Sequence, residues 1–217
     1  MNDFRFRDAL LESIEGFCHL SDQQIAMLAQ HFTTLVRWNK KMNLTSIHEE
    51  REIIRRHYAE SLFLASRLPH QGLRIADFGS GAGFPGVPVA VARPDSNVVL
   101  VESREKKSVF LKESTRHIPN VRVLCAEARA VREPFDWIVA RAVGINKVLR
   151  EIPRIAPHVA LLLGAGDAAR MAALKHLRWD APCVLPWGER RVLLIGHHAA
   201  FDPQSGFWQT FHVERSE

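Results

Sequence analysis

Ten consecutive residues, Asp77-Phe-Gly-Ser-Gly-Ala-Gly-Phe-Pro-Gly86, hold the side chains and backbone best suited to chemistry in this 217-residue chain. A short apolar run, Leu73 to Phe78, contains an acid next to its end and spills into glycines at 79, 81, 83 and 86. Glycine there accepts positive φ and lets a ligand lie against bare backbone. The apolar residues Val87, Val89 and Val91 that follow suit a helix whose opening offers unpaired N–H groups and a positive dipole end. A second apolar run, Val98 to Val101, ends in Glu102, 23 residues after Gly79. An acid at the tip of a second strand is placed to hold the two hydroxyls of a ribose. The chemistry implied is the binding of a nucleoside-bearing cofactor. Gly81, Gly83 and Gly86 also satisfy the dinucleotide pattern G-x-G-x-x-G, so NAD stands as one occupant.

Aligned from the strand end, the run is Asp77-x-Gly79-x-Gly81-x-Gly83, which resembles the first motif of S-adenosylmethionine-dependent methyltransferases. S-adenosylmethionine has no pyrophosphate and carries a cationic amine and a sulfonium, so an acid beside the loop is useful to it. Marks of other methyl-transfer chemistries are missing. Exocyclic-amine methylases resemble one another in an Asn/Asp-Pro-Pro-aromatic block after the fourth strand, where this chain has Ala140-Arg-Ala-Val143. Cytosine-carbon methylases use a Pro-Cys pair, but Pro182-Cys183 falls well past the expected loop and Cys183 reads as core.

The elements that must position these groups alternate. Strand-like runs cover 73–78, 97–102, 121–125, 135–140, 158–163 and 191–196, with a weaker one near 182–186. Helical stretches fit between them at 86–93, 104–117, 145–153 and 167–177. Such alternation predicts an α/β fold with a parallel sheet covered on both faces. The last two strands flank Trp187-Gly188-Glu189, short enough for a hairpin. The expectation is a seven-stranded, mainly parallel, Rossmann-like sheet with one reversed strand. Ahead of it, Ser21 to Gln24 resembles a capping box, and Ile25, Leu28, Phe32, Leu35 and Val36 recur at helical spacing. A second amphipathic helix is expected from about Glu49 to Leu68, with His57 facing inward as a hydrogen-bonded core histidine. Residues 1–70 are therefore expected to form an N-terminal helical cap, and 71–217 the methyltransferase domain.

The net charge of +5 is unevenly spread. Residues 72–164 hold 14 basic and nine acidic side chains, whereas the flanking segments balance. Residues 36–56 add six basic side chains against three acids. Positive charge around a cofactor cleft suits a polyanionic substrate such as RNA. Cys18, Cys125 and Cys183 are too scattered for a disulfide framework or a zinc knuckle and read as buried hydrophobes in a reducing cytosol. None of the 11 histidines falls into metal-ligand spacing, so no metal is expected. The opening MNDFRFRDAL has no secretory pattern and no apolar run approaches the length of a membrane span, so a cytoplasmic protein is expected.

Several blocks in order resemble one family. They are Trp38-Asn-Lys40-Lys41-Met-Asn43-Leu-Thr45-Ser46, then Arg56-His57-Tyr-Ala-Glu60-Ser-Leu62, the Asp77–Gly86 run, Glu102-Ser103 with Lys106-Lys107 and Phe110-Leu111, and Ala140-Arg141-Ala142. Together they are similar to the ribosomal small-subunit methyltransferase G family, also called glucose-inhibited division protein B. The resemblance implies a monomeric cytosolic enzyme that transfers a methyl group from S-adenosyl-L-methionine to N-7 of one guanine of 16S rRNA, in the small ribosomal subunit, by direct in-line displacement. It implies that Gly79, Gly81, Gly83 and Phe84 line the cofactor and that Glu102 holds its ribose. Ala128 and Arg129 would flank the adenine, and Arg141 would close the pocket and is the one candidate contributor to a catalysis that otherwise rests on positioning. Lys40, Lys41, Arg56, Arg104, Lys106 and Lys107 would hold RNA phosphates. Two departures stand out. Leu163 precedes Gly164 where the family usually has lysine, leaving Lys147 as a substitute, and Glu102 replaces a more usual Asp. Trp38 reads as a helix-packing aromatic, and Asn43 and Thr45 as caps of an inter-helix turn. Two alternatives remain at this point: a methyltransferase for another substrate, and an RNA-binding assembly factor without activity.

Overall fold

The computed structural model describes residues 3–141, 155–172, 177–188 and 190–198. Its centre is an eight-stranded sheet. The strands are β1 (Arg74–Phe78), β2 (Asn97–Glu102), β3 (Val121–Cys125), β4 (Trp137–Arg141), β5 (His158–Gly164), β6 (Leu177–Trp179), β7 (Cys183–Val184) and β8 (Arg191–His198). They lie in the order β3-β2-β1-β4-β5-β8-β6, with β7 also pairing β8. The first five run parallel, and β8 is antiparallel to β5, β6 and β7. The mainly parallel α/β sheet with a reversed strand is therefore present, with one strand more than expected. The extra one is β6. Its three residues lie where the helix expected over 167–177 would end; among the described residues that helix covers Ala165–Ala172. The hairpin of β7 and β8 forms, with Cys183 opposite Leu193 and Val184 opposite Val192. The helix expected over 145–153 and the substitute Lys147 lie outside the described residues.

The strand order reverses between β1 and β4. Chain leaving the carboxyl ends of these two strands therefore diverges, which opens the crevice where doubly wound sheets bind ligands. Buried strands read as continuous apolar runs because both faces are covered. The side chains of β1 alternate between two cores: Ile75 faces one, Ala76 and Phe78 the other.

Helices α5 (Gly86–Ala92) and α6 (Glu105–Thr115) follow β1 and β2, and α7 (Ala165–Ala172) follows β5. The N-terminal part contains α1 (Asp3–Ile14), α2 (Asp22–Asn39), α3 (Glu50–Ile53), a wide π-helical turn over Ile54–Ala59, and α4 (Glu60–Ser66). The expected capping box is formed: Ser21 Oγ accepts from Gln24 N–H, and the Gln24 side chain accepts from Ser21 N–H. Helix α1 has only Phe6, Leu10 and Ile14, four residues apart, to announce it. The amphipathic helix expected over 49–68 is present from Glu50 to Ser66 without interruption, but it widens in the middle, where the Ile54–Ala59 turn takes one more residue than an α-turn.

One hydrophobic cluster joins Phe6, Leu10, Phe32, Tyr58 and Leu62 to Ile75, Leu100, Val139 and Leu162. The N-terminal helices thus cover one sheet face directly. Among the cysteines, Cys18 and Cys183 are half-buried, but Cys125 is exposed at the end of β3, which corrects the expectation of three buried thiols. Among the described residues no helix is long and apolar enough to cross a membrane.

Candidate cofactor site and its basic surround

The loop after β1 turns through three left-handed glycines, Gly79 (φ +73°), Gly81 (φ +56°) and Gly83 (φ +90°). A side chain at these angles would be strained. At Gly83 a Cβ would also lie 2.7 Å from Val87 Cγ2 and 2.9 Å from His31 Nε2. Around Gly79 no atom lies within 4 Å of where a Cβ would sit, so a ligand can approach the backbone there.

Two carboxylates hold this loop. Asp77 is fully buried, and its Oδ2 accepts from Gly86 N–H at 2.9 Å, which satisfies an orphan donor at the start of α5. Burial pushes its carboxyl up to about 7, against the opposing pull of the Gly86 N–H. Its Oδ1 has no hydrogen-bond partner among the described residues. A Cβ on Gly86 would meet Asp77 Oδ2 at 2.6 Å, so that glycine is required by close approach. Asp77 therefore acts as the staple of the loop and lies beneath it. Glu102, at the tip of β2, accepts from Gly81 N–H at 3.0 Å and from Arg104 N–H at 2.8 Å. Above the loop, Lys107 Nζ is 4.0 Å from where a Cβ on Gly81 would sit.

The N-terminal helices buttress the loop from the other side. The Phe84 ring is buried, stacked on His57 at 4.7 Å between centroids and met edge-on by Tyr58 at 4.9 Å and His31 at 5.5 Å. His31 Nδ1 and the Tyr58 hydroxyl are 2.7 Å apart. His57 Nε2 is 2.8 Å from the Thr45 hydroxyl, which also accepts from Ile47 N–H. Burial first, then the nearby guanidinium of Arg141, drives the His57 imidazole down to about 2, so it stays neutral. His57 is the bonded inward histidine expected, and Thr45 does organise the turn. Trp38 packs edge-on against Phe110 and donates to Glu113, as an interhelical aromatic would.

Arg141, at the carboxyl end of β4, is mostly buried. It donates to the Arg56 carbonyl and lies 3.5 Å from Glu60. Glu60, itself buried at 3% exposure, also receives Arg191 at 2.8 Å. Burial draws the Arg141 guanidinium down to about 10 despite the Glu60 charge. Sequence reasoning missed Glu60 and Arg191 as a pair, since 131 positions separate them.

The remaining expected residues are more dispersed. Ala128 and Arg129 lie on a 3₁₀ turn after β3, where Arg129 is exposed and paired with Glu127. Arg104 caps α6, with Lys106 and Lys107 in its first turn, and Lys40 and Lys41 follow the end of α2, exposed. The structure thus brings Gly79, Gly81, Glu102 and Lys107 to one corner, with Phe84 buried behind it. It puts Arg56 and Arg141 in a second cluster.

These residues fit a cationic nucleoside cofactor: a carboxylate at the tip of β2, open backbone at Gly79 and a buried acid below the loop. A glycine corner of this kind at the switch point of a mainly parallel sheet, closed by a reversed strand, defines the class as S-adenosylmethionine-dependent methyltransferases. A solved ribosomal protein L11 methylase from Lactobacillus delbrueckii subsp. bulgaricus shares the fold with a TM-score of 0.56 at 14% identity, covering 66% of this chain and 79% of that one. Residues 24–162 match the family described as GidB, rRNA small subunit methyltransferase G, and the chain belongs to it. A protein of Xanthomonas campestris pv. campestris named ribosomal RNA small subunit methyltransferase G is 44% identical over 184 residues, 78% of this chain and 85% of the relative. One of the same name from Acetivibrio thermocellus is 36% identical over 158 residues, 69% of this chain and 65% of the relative.

Proposed function

We propose that this chain methylates N-7 of a guanine in 16S rRNA, in the cytoplasm and as a monomer. What carries the reading is the family match over residues 24–162, which spans the cofactor corner together with the basic Lys40–Arg56 segment. S-adenosylmethionine supplies the methyl group as an electrophilic carbon. In this reading Gly79, Gly81 and Gly83 take the cofactor against bare backbone and Glu102 turns its carboxylate to the ribose. Phe84 sets the loop from behind, Ala128 and Arg129 border the adenine, and Arg141 walls the acceptor side.

Guanine N-7 has a free lone pair at neutral pH, so no proton must leave before attack, and the displacement is direct and in line. The work left to the protein is geometric, and placement of this kind is worth roughly 7–11 kcal/mol of barrier. The titratable groups near the loop agree with that. Asp77 is sealed under Gly86, and His57 stays neutral at any physiological pH. Neither is placed as an exposed general base. The exposed cations Lys40, Lys41, Arg104 and Lys106, with Arg56 and Lys107, hold the flanking phosphates. The target base must be splayed out, since N-7 in an A-form duplex faces a groove too narrow for side chains.

The test compares modified nucleosides of small-subunit rRNA from cells with and without this gene, and from unmethylated 16S rRNA incubated with enzyme and labelled cofactor. The expected result is one 7-methylguanosine that depends on the gene; label in another nucleoside, or in protein, would displace the proposal.

A further inference from the structure

Beyond the cofactor corner, a cavity of about 490 Å³ opens between the π-helical turn and the β7–β8 hairpin, lined by Arg55, Arg56, Glu60, Trp187, Arg190 and Arg191 among others. Its charge is lopsided. Arg55 is paired with Glu52, and Arg191 shares Glu60 with Arg141. Arg56 and Arg190 have no ion pair or side-chain hydrogen bond among the described residues. Two guanidiniums without an ion pair among the described residues therefore face a concave space, beside a carboxylate already shared by two others. Guanidinium forks of this sort match phosphate oxygens bidentately.

The apolar wall is aromatic. Trp187 is half-buried, met edge-on by Phe17 at 5.8 Å and Phe63 at 6.5 Å, so its ring is fixed by the body of the protein. A held indole next to arginines is the pairing that binds single-stranded nucleic acid, with bases stacking on the ring and phosphates on the cations.

Position separates this cavity from the cofactor. Arg191 pairs with Gly164 at the carboxyl end of β5, and the strands run β1, β4, β5, β8. Three strand spacings put it about 14 Å along the same sheet edge from the glycine loop. Arg141, on β4, stands between the two. A base presented near Arg141 would have its chain neighbour in the cavity.

We propose that the Arg56–Arg190–Arg191 cavity is a subsite for a nucleotide flanking the methylated base, with its phosphate on the arginines and its base on Trp187. The inference rests on the RNA substrate proposed above, and its ligand is a nucleoside phosphate within an RNA strand, not a free nucleotide.

The test measures binding of unmethylated 16S rRNA to the full chain by filter retention at several salt concentrations. The variants are Arg190→Ala, Arg56→Ala/Arg190→Ala, Arg190→Lys and Trp187→Phe, with Arg122→Ala on the far sheet edge as control. Each lost phosphate contact should make the slope of log K against log salt shallower by about 0.7. We expect that change with Arg190→Ala, twice that with the double variant, restoration of the slope by Arg190→Lys, and no change with Arg122→Ala. Trp187→Phe should weaken binding without altering the slope. Calorimetric affinity for S-adenosylmethionine, unchanged in all of them, confirms that they fold. Unaltered slopes and affinities in Arg190→Ala and the double variant would overturn the subsite. Arginine-dependent binding of adenosine triphosphate with RNA binding unaffected would also overturn it, in favour of a free nucleotide. A parent protein that methylates no RNA would refute the proposed function by a separate readout, with the salt slopes still deciding the cavity.

Discussion

The backbone amide of Gly81 donates to Oε2 of Glu102 at 3.0 Å, so the loop after the first strand and the tip of the second form one hydrogen-bonded unit. Glu102 meets Arg104 N–H through its other oxygen, at 2.8 Å, and so ties the loop to the start of α6 as well.

Replacing that carboxylate separates binding from stability. Hydrogen bonds to a charged group contribute about 1.5–3 kcal/mol each, so Glu102→Ala should weaken S-adenosylmethionine affinity by about 10- to 100-fold in calorimetry. Glu102→Asp, one methylene shorter, should fall between the two. An Ala variant with parental affinity would remove Glu102 from the ribose.

Glu60 is the buried acid that Arg141 and Arg191 share. Removing one partner of a buried ion pair costs about 3–5 kcal/mol, and Glu60→Ala leaves Arg141 and Arg191 facing each other. Thermal unfolding by circular dichroism should fall by roughly 6–20 °C for a domain of this size. Arg37→Ala, which breaks an exposed pair with Glu113, should stay within about 1 kcal/mol of the parent.

Two left-handed glycines separate strain from crowding. Gly16 has φ +84° with no atom near a prospective Cβ, so Gly16→Ala should cost only about 1–2 kcal/mol of backbone strain. Gly83→Ala adds contacts below 3 Å with Val87 and His31, and should cost more in urea midpoint while also lowering cofactor affinity. Equal losses at both sites would mean that the His31 contact yields freely.

Acid should destabilise the fold. Burial holds His31 at about 3, His57 at about 2 and His158 at about 4, all below the ordinary 6.5. Between pH 6.5 and 4 the unfolded chain binds protons that the fold refuses, so stability falls as pH falls. Asp77, raised to about 7, works in the opposite sense: the fold accepts its proton first, so its contribution grows as pH drops from 7 to 4. Asp77→Asn should therefore be more stable than the parent at pH 8, by about 1–4 kcal/mol. Its loss in acid should also be steeper. Urea midpoints between pH 4 and 8 check both, and parallel curves for the two proteins would mean that Asp77 is ionised throughout.

The parallel core was legible because its signal is local. Short apolar runs mark β1 to β5, with a glycine at the end of β1 and of β5, and Asp77 and Glu102 sit near strand tips that the runs themselves define. The family blocks led to Arg56, His57 and Arg141, but not to what they touch. Glu60 meets Arg191 across 131 positions and Arg141 meets the Arg56 carbonyl across 85, separations at which periodicity carries no information. Strand β6 was hidden because three residues are too few to show alternation, and its partner among the described residues is β8. Phe84 illustrates the converse: the family resemblance put it along the cofactor, while the crowd of His31, His57 and Tyr58 buries its ring.

The extra residue in the Ile54–Ala59 turn acts as a rotational spacer. Each residue of an α-helix advances the direction of every later side chain by about 100°, so excising one position there would swing Glu60 off its two arginines and Leu62 off the sheet. Chain length in that single turn thus sets the aim of everything between it and β1, and the segment tolerates exchange of side chains far better than a change in their number.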